Sequence, residues 1–255
     1  VIIVDQSLAS VLEAVRAKLT TVEHVIHIGG APDAGQDYEA LLREAPARFD
    51  WPRLDEAEAA AMCYTTGTTG EPKGVVYSHR SQYLHTLAVW GGFTLSEHDR
   101  MLFIVPMFHA NAWGMPYAGW MVGADLLFPG RFLQPEPLAR FMQEERVTFG
   151  GGVPTVLNSL LAYADSSGDV DLSSLRLMVC GGAAVPRSLM EGFQERHGVR
   201  VMQAWGMTET SPIGAVADVP KGIEPGEEMN WRMKTGRPVM GVELRVVDDT
   251  GAEVA

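Results

Sequence analysis

Short runs of aliphatic and aromatic residues alternate along this chain with longer stretches in which apolar positions recur at helical spacing. The runs are VIIV (1 to 4), HVIHI (24 to 28), MLFIVP (101 to 106), DLLFP (125 to 129), VTFGGGVP (147 to 154) and LRLMVCGG (175 to 182). Each has the length of a strand and is followed by turn residues or by a helical pattern. Amphipathic helices are expected at LASVLEAVRAKL (8 to 19), EPLARFMQEER (136 to 146), TVLNSLLAYA (155 to 164) and VPRSLMEGFQERHG (185 to 198). In the last of these Pro186 suits the first turn and Gly198 the exit. The alternation predicts an α/β fold with a largely parallel β-sheet flanked by helices. Ligands on such sheets bind at the carboxyl ends of strands, where the glycine-rich turns of this sequence fall. No internal repeat is present, and the stretches 29 to 39 and 217 to 230 read as surface loops.

Composition narrows the class. Of 255 residues, 46% are hydrophobic and 20% charged, which suits a folded chain with one large domain or two modest ones. With 32 acidic residues against 20 basic ones the net charge is -12, so no broad basic face is expected and nucleic acid is not an expected partner. Cys63 and Cys180 lie in strand-like runs without CxxC spacing or a nearby histidine cluster. They read as core thiols in a reducing compartment, with a cytoplasmic location expected.

The stretch Met101 to Ala124 carries no acidic residue, lysine or arginine and is long enough for a membrane span of about 20 residues. Pro106, Gly114, Pro116 and Gly119 interrupt it, and His109 and Asn111 would sit near the bilayer centre. A buried strand, loop and helix are expected instead, with no transmembrane span, and no basic amphipathic helix supports peripheral membrane binding. The chain starts without an initiator methionine and reads there as the middle of a longer protein; near the other end Asp249, Thr250 and Gly251 signal a hairpin.

The most informative stretch is YTTGTTGEPKG, from Tyr64 to Gly74. Gly67, Gly70 and Gly74 let the backbone turn its N–H groups inward, forming a concave donor array for anions. Thr65, Thr66, Thr68 and Thr69 add hydroxyls, and Lys73 adds a positive charge beside Pro72. Phosphate is the expected guest. The nucleotide-binding P-loop GxxxxGK[ST] opens into a helix, whereas here Lys73 leads into the strand-like GVVY, so this is a loop between two strands. Downstream, Gly181 and Gly182 end a strand with bare backbone against which a flat base could lie, and QAWGMTE gathers Trp205, Thr208 and Glu209. The same three residues also suit a core aromatic, a helix cap and a first-turn acid, and the pattern alone does not choose.

YTTGTTGEPKG resembles the signature phosphate loop of the adenylate-forming superfamily, and PMFHANAWGMPYAG (106 to 119) and CGGAAVP with QAWGMTETSP (180 to 186 and 203 to 212) match in the order that superfamily requires. The resemblance covers about Ala60 to Arg245 and is nearest to medium- and long-chain fatty acyl-CoA synthetases. It implies part of the large N-terminal domain of the adenylate-forming fold, over residues 1 to 255, with an upstream part and a C-terminal lid domain lying elsewhere. The implied chemistry joins a fatty acid to the α-phosphate of ATP and then passes the acyl group to coenzyme A, with magnesium. The alternative is a non-catalytic piece that binds nucleotide weakly. The oligomeric state is left open, a homodimer included.

By the same resemblance, Thr65, Thr66, Gly67, Thr68, Thr69, Gly70 and Lys73 hold the β and γ phosphates. Glu209 ligates magnesium with Thr65 as second contact, and Thr208 bonds the α-phosphate. Gly181, Gly182, Ala183, Gln203, Trp205 and Gly206 border the nucleotide, with tryptophan standing at position 205 where the family usually has tyrosine. Lys73, His109, Thr208 and Glu209 are the implied catalytic set. Amino-acid-activating relatives carry an aspartate at the position of His109, so a histidine there suits an acid without an ammonium group. His109 reads as a neighbour of the reacting carboxylate or as a satisfied structural histidine. Ala110 and Trp113 are implied acyl contacts, and Phe108, Met115, Tyr117 and Trp120 are expected to add apolar area.

Overall fold

The structure, a computed structural model, describes residues 1–30, 35–65 and 70–254. It comprises two compact units, Val1–Arg53 and Leu54–Ala255. In the first, β1 (Ile2–Asp5), β2 (Val25–Ile28) and β3 (Gln36–Asp37) form a parallel sheet in that order. Two helices accompany it, α1 (Ala9–Val15) and α2 (Tyr38–Glu44), and Val4, Leu12 and Val25 make its small core. The expected helix 8 to 19 is α1 continued by a 3-10 turn at Arg16–Lys18. Asp37 caps α2 by accepting the Ala40 N–H at 2.8 Å, which satisfies one donor left open at a helix start.

The second unit begins with an antiparallel pair, β4 (Ala59–Thr65) and β5 (Lys73–Ser78), and runs on into α3 (His79–Phe93). The Ser78 hydroxyl accepts the Ser81 N–H at 3.1 Å and fixes the start of α3. There follow β6 (Arg100–Phe103), α4 (Ala110–Trp113), α5 (Met115–Val122), β7 (Asp125–Leu127), α6 (Pro135–Glu144), β8 (Phe149–Gly152), α7 (Pro154–Ser167), β9 (Leu177–Cys180), α8 (Arg187–His197) and β10 (Arg200–Gly206). The chain then adds β11 (Ile213–Val216), α9 (Glu228–Arg232) and β12 (Arg237–Pro238). A seven-stranded sheet has the order β12-β11-β10-β9-β8-β6-β7, parallel from β10 to β7 and antiparallel at β11 and β12. The largely parallel sheet expected from the alternation is present.

Both faces of this sheet are covered, which explains why its strands are continuous apolar runs. Along β9 the residues alternate between two cores: Met178 and Cys180 pack with Leu138, Leu157, Leu189 and Phe193 of α6, α7 and α8, whereas Leu177 and Val179 pack with Val89, Phe93 and Met115 of α3 and α5. Phe93, Phe149 and Phe193 are wholly buried, each contributing roughly 1.5–3 kcal/mol of transfer free energy. Cys63 and Cys180 are buried and unlinked, as expected, and burial pushes the Cys180 thiol up to about 12. Residues 101 to 124 form β6, α4 and α5, and no helix among the described residues is long and apolar enough to cross a membrane. The hairpin signal is met by an antiparallel bridge between Val247 and Glu253. The loop expected at 217 to 230 runs into α9, and the one at 29 to 39 holds β3 and the start of α2, its residues 31–34 lying outside the described residues.

Charges cluster at the amino ends of the parallel strands. Asp99 is 3% exposed and accepts bonds from the Ser96 N–H (2.9 Å), the Thr148 hydroxyl (2.8 Å) and the Arg176 guanidinium (2.8 and 2.9 Å). Burial pushes its carboxyl up, but these bonds and the Arg176 charge outweigh burial and hold it below the usual carboxylate range. Arg100 bridges Asp125 and Glu145, each at 2.6 Å.

Candidate active site

A cleft of about 1040 Å³ opens at the carboxyl ends of these strands. Its walls come from the β4–β5 hairpin, the segment around α4, the end of β9 and the turn between β10 and β11. Twelve of the implied catalytic, nucleotide, acyl and metal residues line it: Thr65, Gly70, Lys73, His109, Ala110, Trp113, Gly181, Gly182, Trp205, Gly206, Thr208 and Glu209. Thr66, Gly67, Thr68 and Thr69 lie outside the described residues.

The hairpin pairs Thr65 directly with Lys73. Opposed residues of an antiparallel pair share a face, so the Thr65 and Lys73 side chains leave the hairpin on the same side at the mouth of the loop. Lys73 is exposed and forms no ion pair among the described residues.

Thr208 and Glu209 sit on a 3-10 turn, Thr208–Thr210, just beyond β10. That turn is narrow: a Cβ on Gly206 would stand 2.1 Å from the Pro212 carbonyl oxygen, so only glycine fits. The Met207 N–H donates to the Thr210 hydroxyl at 2.9 Å, so Thr210 supplies the local cap and the Thr208 hydroxyl has no protein partner among the described residues. Below the turn the Tyr77 hydroxyl donates to the Thr208 carbonyl at 2.7 Å. Burial first, then the nearby Cys63 and Glu209, pushes the Tyr77 phenol up to about 12, which keeps it a donor at neutral pH. Neither Tyr77 nor this bond was visible in the sequence, because a lone tyrosine in a strand reads as core.

Trp205 is 36% exposed, its ring edge lying where a Cβ on Gly214 would come within 2.6 Å. Gln203 and Ala183 do not line the cleft. Gln203 is instead 8% exposed; its carbonyl accepts the Val185 N–H at 2.8 Å and its amide donates to the Lys234 carbonyl at 2.8 Å. It braces the 181 to 185 turn from behind.

On the opposite wall the backbone is unusual. Ala110, Asn111, Ala112 and Trp113 have φ of 43°, 52°, 51° and 60°, and Gly114 follows at 69°. L-residues in this left-handed region cost roughly 1–2 kcal/mol each, so the four together store roughly 4–8 kcal/mol. Packing holds them there: Ala110 and Ala112 are 4% and 1% exposed, and the Asn111 side-chain oxygen accepts from the Cys63 thiol at 3.5 Å. His109 precedes this turn and is exposed to the cleft, and the Trp113 ring tip lies 3.5 Å from where a Cβ on Gly181 would stand. Met115 lines the cleft floor, whereas Phe108, Tyr117 and Trp120 do not line it. Phe108 and Trp120 are instead 81% and 79% exposed, on surface outside the cleft. No propensity argument places five left-handed residues in a row, so this feature was not legible.

Among the described residues no three His, Cys, Asp or Glu side chains converge as a metal cluster. Magnesium does not require one, since it is commonly held by one or two protein oxygens together with phosphates and water. Glu209, exposed and without an ion pair among the described residues, and the Thr65 hydroxyl both line the cleft and are hard oxygen donors of that kind.

The chain is similar to known proteins over nearly its whole length. A long-chain-fatty-acid–CoA ligase of Thermus thermophilus is 45% identical over 100% of this chain and 47% of its own length. A 3-methylmercaptopropionyl-CoA ligase of Ruegeria pomeroyi is 42% identical over 97% of this chain and 48% of its own. Among solved structures, an anthranilate CoA ligase in complex with anthranoyl-AMP superposes with a TM-score of 0.87 at 31% identity, covering 99% of this chain and 48% of that one. The chain therefore spans about half the length of the curated relatives it matches. The family described as AMP-binding enzyme matches residues 1–255, and the chain belongs to that family.

Proposed function

We propose that the chain is part of the large N-terminal, AMP-binding domain of an enzyme that activates a fatty acid with ATP and transfers the acyl group to coenzyme A. The observation carrying this reading is the meeting, in one cleft, of Thr65 and Lys73 with Thr208 and Glu209 and, across from them, His109 and Trp113. The acid carboxylate attacks the α-phosphorus, pyrophosphate leaves, and the thiol of coenzyme A then attacks the acyl carbonyl and expels AMP. Two anions must meet in the first step, so charge neutralisation dominates the demand on the site.

In this reading Lys73, Gly70 and the threonine loop hold the departing phosphates. The Thr208 hydroxyl donates to an α-phosphate oxygen, the Trp205 face and the Gly181–Gly182 backbone border the adenine, and His109 neighbours the carboxylate. Glu209 and Thr65 would hold magnesium, which supplies neutralisation of phosphate charge. Ala110 and Trp113 border the acyl chain.

The acid itself is the finer question. The Thermus relative is named for long-chain fatty acids and the Ruegeria relative for a short thioether acid, so both acid classes belong in the test. Exchange of pyrophosphate into ATP is to be measured with magnesium across saturated acids from acetate to palmitate and with 3-methylmercaptopropionate. Exchange rising with a medium or long acid supports the fatty-acid reading, and a maximum with the thioether acid replaces it. Running the 255-residue chain beside the full-length protein separates a competent adenylation site from a piece that only binds nucleotide.

A further inference from the structure

We propose that His85 is a positioning residue: from α3 it ties the strained turn that carries His109 and Trp113 to the turn that carries Thr208 and Glu209. His85 is 5% exposed and does not line the cleft, yet it touches both walls. Its Nε2 accepts the Ile213 N–H at 3.1 Å, immediately after Pro212 closes the Thr208 turn. On its other edge a Cβ on Gly114 would lie 2.3 Å from its Cε1 and 2.4 Å from its Nδ1, so Gly114 sits directly on the ring. Gly114 is the last of the five left-handed residues.

The tautomer follows from the bond. Because Nε2 accepts, the ring proton is on Nδ1, and that buried nitrogen has no hydrogen-bond partner among the described residues. Burial depresses the imidazole to about 4, which keeps the ring neutral and Nε2 free to accept at neutral pH. A leucine would fill the same space without an unmet donor. What leucine cannot do is accept the Ile213 N–H while presenting a flat edge to Gly114, and that difference assigns the role. Pro212 and Ile213 line the cleft on one side, and Trp113 and Met115 on the other, so the imidazole fixes their separation.

The inference rests on the adenylation reading, and two readouts keep the two apart. In the full chain, His85→Leu is expected to lower pyrophosphate exchange about 10–100-fold through kcat, the size of loss that follows misplacement of a reacting group by about 1 Å. His85→Gln, whose amide oxygen reaches the position of Nε2, is expected to recover activity to within a few-fold. Amide hydrogen exchange over residues 108–114 and 206–214 is expected to quicken in His85→Leu and not in His85→Gln. His85→Asn, too short to reach Ile213, is the second probe if the leucine variant does not fold. Unchanged amide exchange in both segments overturns the tie whatever the activity, and equal impairment of the Leu and Gln variants reduces His85 to packing. A wild-type protein inactive with every acid overturns the adenylation reading, while amide exchange still decides whether the tie exists.

Discussion

At the amino ends of the parallel strands Asp99, Arg100, Asp125, Glu145 and Arg176 are all matched within hydrogen-bond distance, whereas at the carboxyl ends Lys73, His109 and Glu209 face the cleft with no ion pair among the described residues. The same sheet therefore separates charge that holds the fold from charge kept available for a ligand. Mutual satisfaction at one end means that removing the buried Asp99 takes from several donors the acceptor they share. Unmatched, converging groups at the other end cost the fold little to lose and the site much. The two ends should answer substitution in opposite currencies, stability at one and activity at the other.

The largest expected effect is at the amino end. Asp99→Ala removes the acceptor of the Thr148 hydroxyl and the carboxylate partner of Arg176, which keeps only its 3.3 Å bonds to the Phe93 and Thr94 carbonyls, and is expected to destabilise by about 2–4 kcal/mol. Chemical denaturation measures it, and exchange activity per folded molecule should stay within about twofold. A loss below about 1 kcal/mol would mean that this network is ornamental and that the comparison fails at its stronger end.

His85 lies between these extremes, buried like Asp99 but serving the cleft. Its pKa is about 4 folded against 6.5 for the free group. Between those values the unfolded chain binds more protons, so stability rises with pH across this window and is lost as pH falls from 6.5 toward 4. The integrated contribution is roughly 3 kcal/mol. His85→Gln cannot titrate, so its stability should depend on pH less steeply than wild type from 6.5 to 4. Parallel curves for the two proteins would remove the buried neutral imidazole from the account.

At the carboxyl end Glu209→Gln should reverse the pattern seen at Asp99. An exposed carboxylate without an ion pair contributes little to folding, so stability should move by less than about 0.5 kcal/mol. Exchange activity should fall about 100-fold, since one charge is removed from a site that must bring two anions together. Weak sensitivity to magnesium in the variant, beside steep dependence in wild type, would sharpen the assignment. Full activity in the variant would remove Glu209 from it.

The elements visible in advance were those whose apolar residues keep a simple period. Helices α6, α7 and α8 were legible because Leu138, Leu157, Leu160 and Leu189 fall on one face, and β8 and β9 because a strand covered on both sides reads as one apolar run. Helix α3 was not legible, since it buries His85 and Thr86 while exposing Tyr83, Leu84 and Trp90, which inverts the usual pattern. Within the candidate site, the glycine and threonine stretches could be recognised from residue type. The ties that aim them, Tyr77 to the Thr208 carbonyl, Gln203 to the 181 to 185 turn and His85 to Ile213, span 131, 18 and 128 residues in sequence and exist only in the folded chain.

The smallest expected effect tests the acyl wall. Trp113→Ala keeps a residue with a Cβ at φ 60°, so the backbone strain of the turn is unchanged and the substitution isolates the indole that lies against Gly181. If that indole borders the acyl chain, the ratio of kcat/KM between long and short acids should shift about tenfold, the equivalent of one or two methylenes in an apolar pocket. KM for ATP should stay within about twofold, because Lys73, Thr208 and Glu209 are untouched. A uniform change with every acid would instead mark Trp113 as packing for the Gly181 turn, and an unchanged acid profile with a raised KM for ATP would move it from the acyl side of the cleft to the nucleotide side.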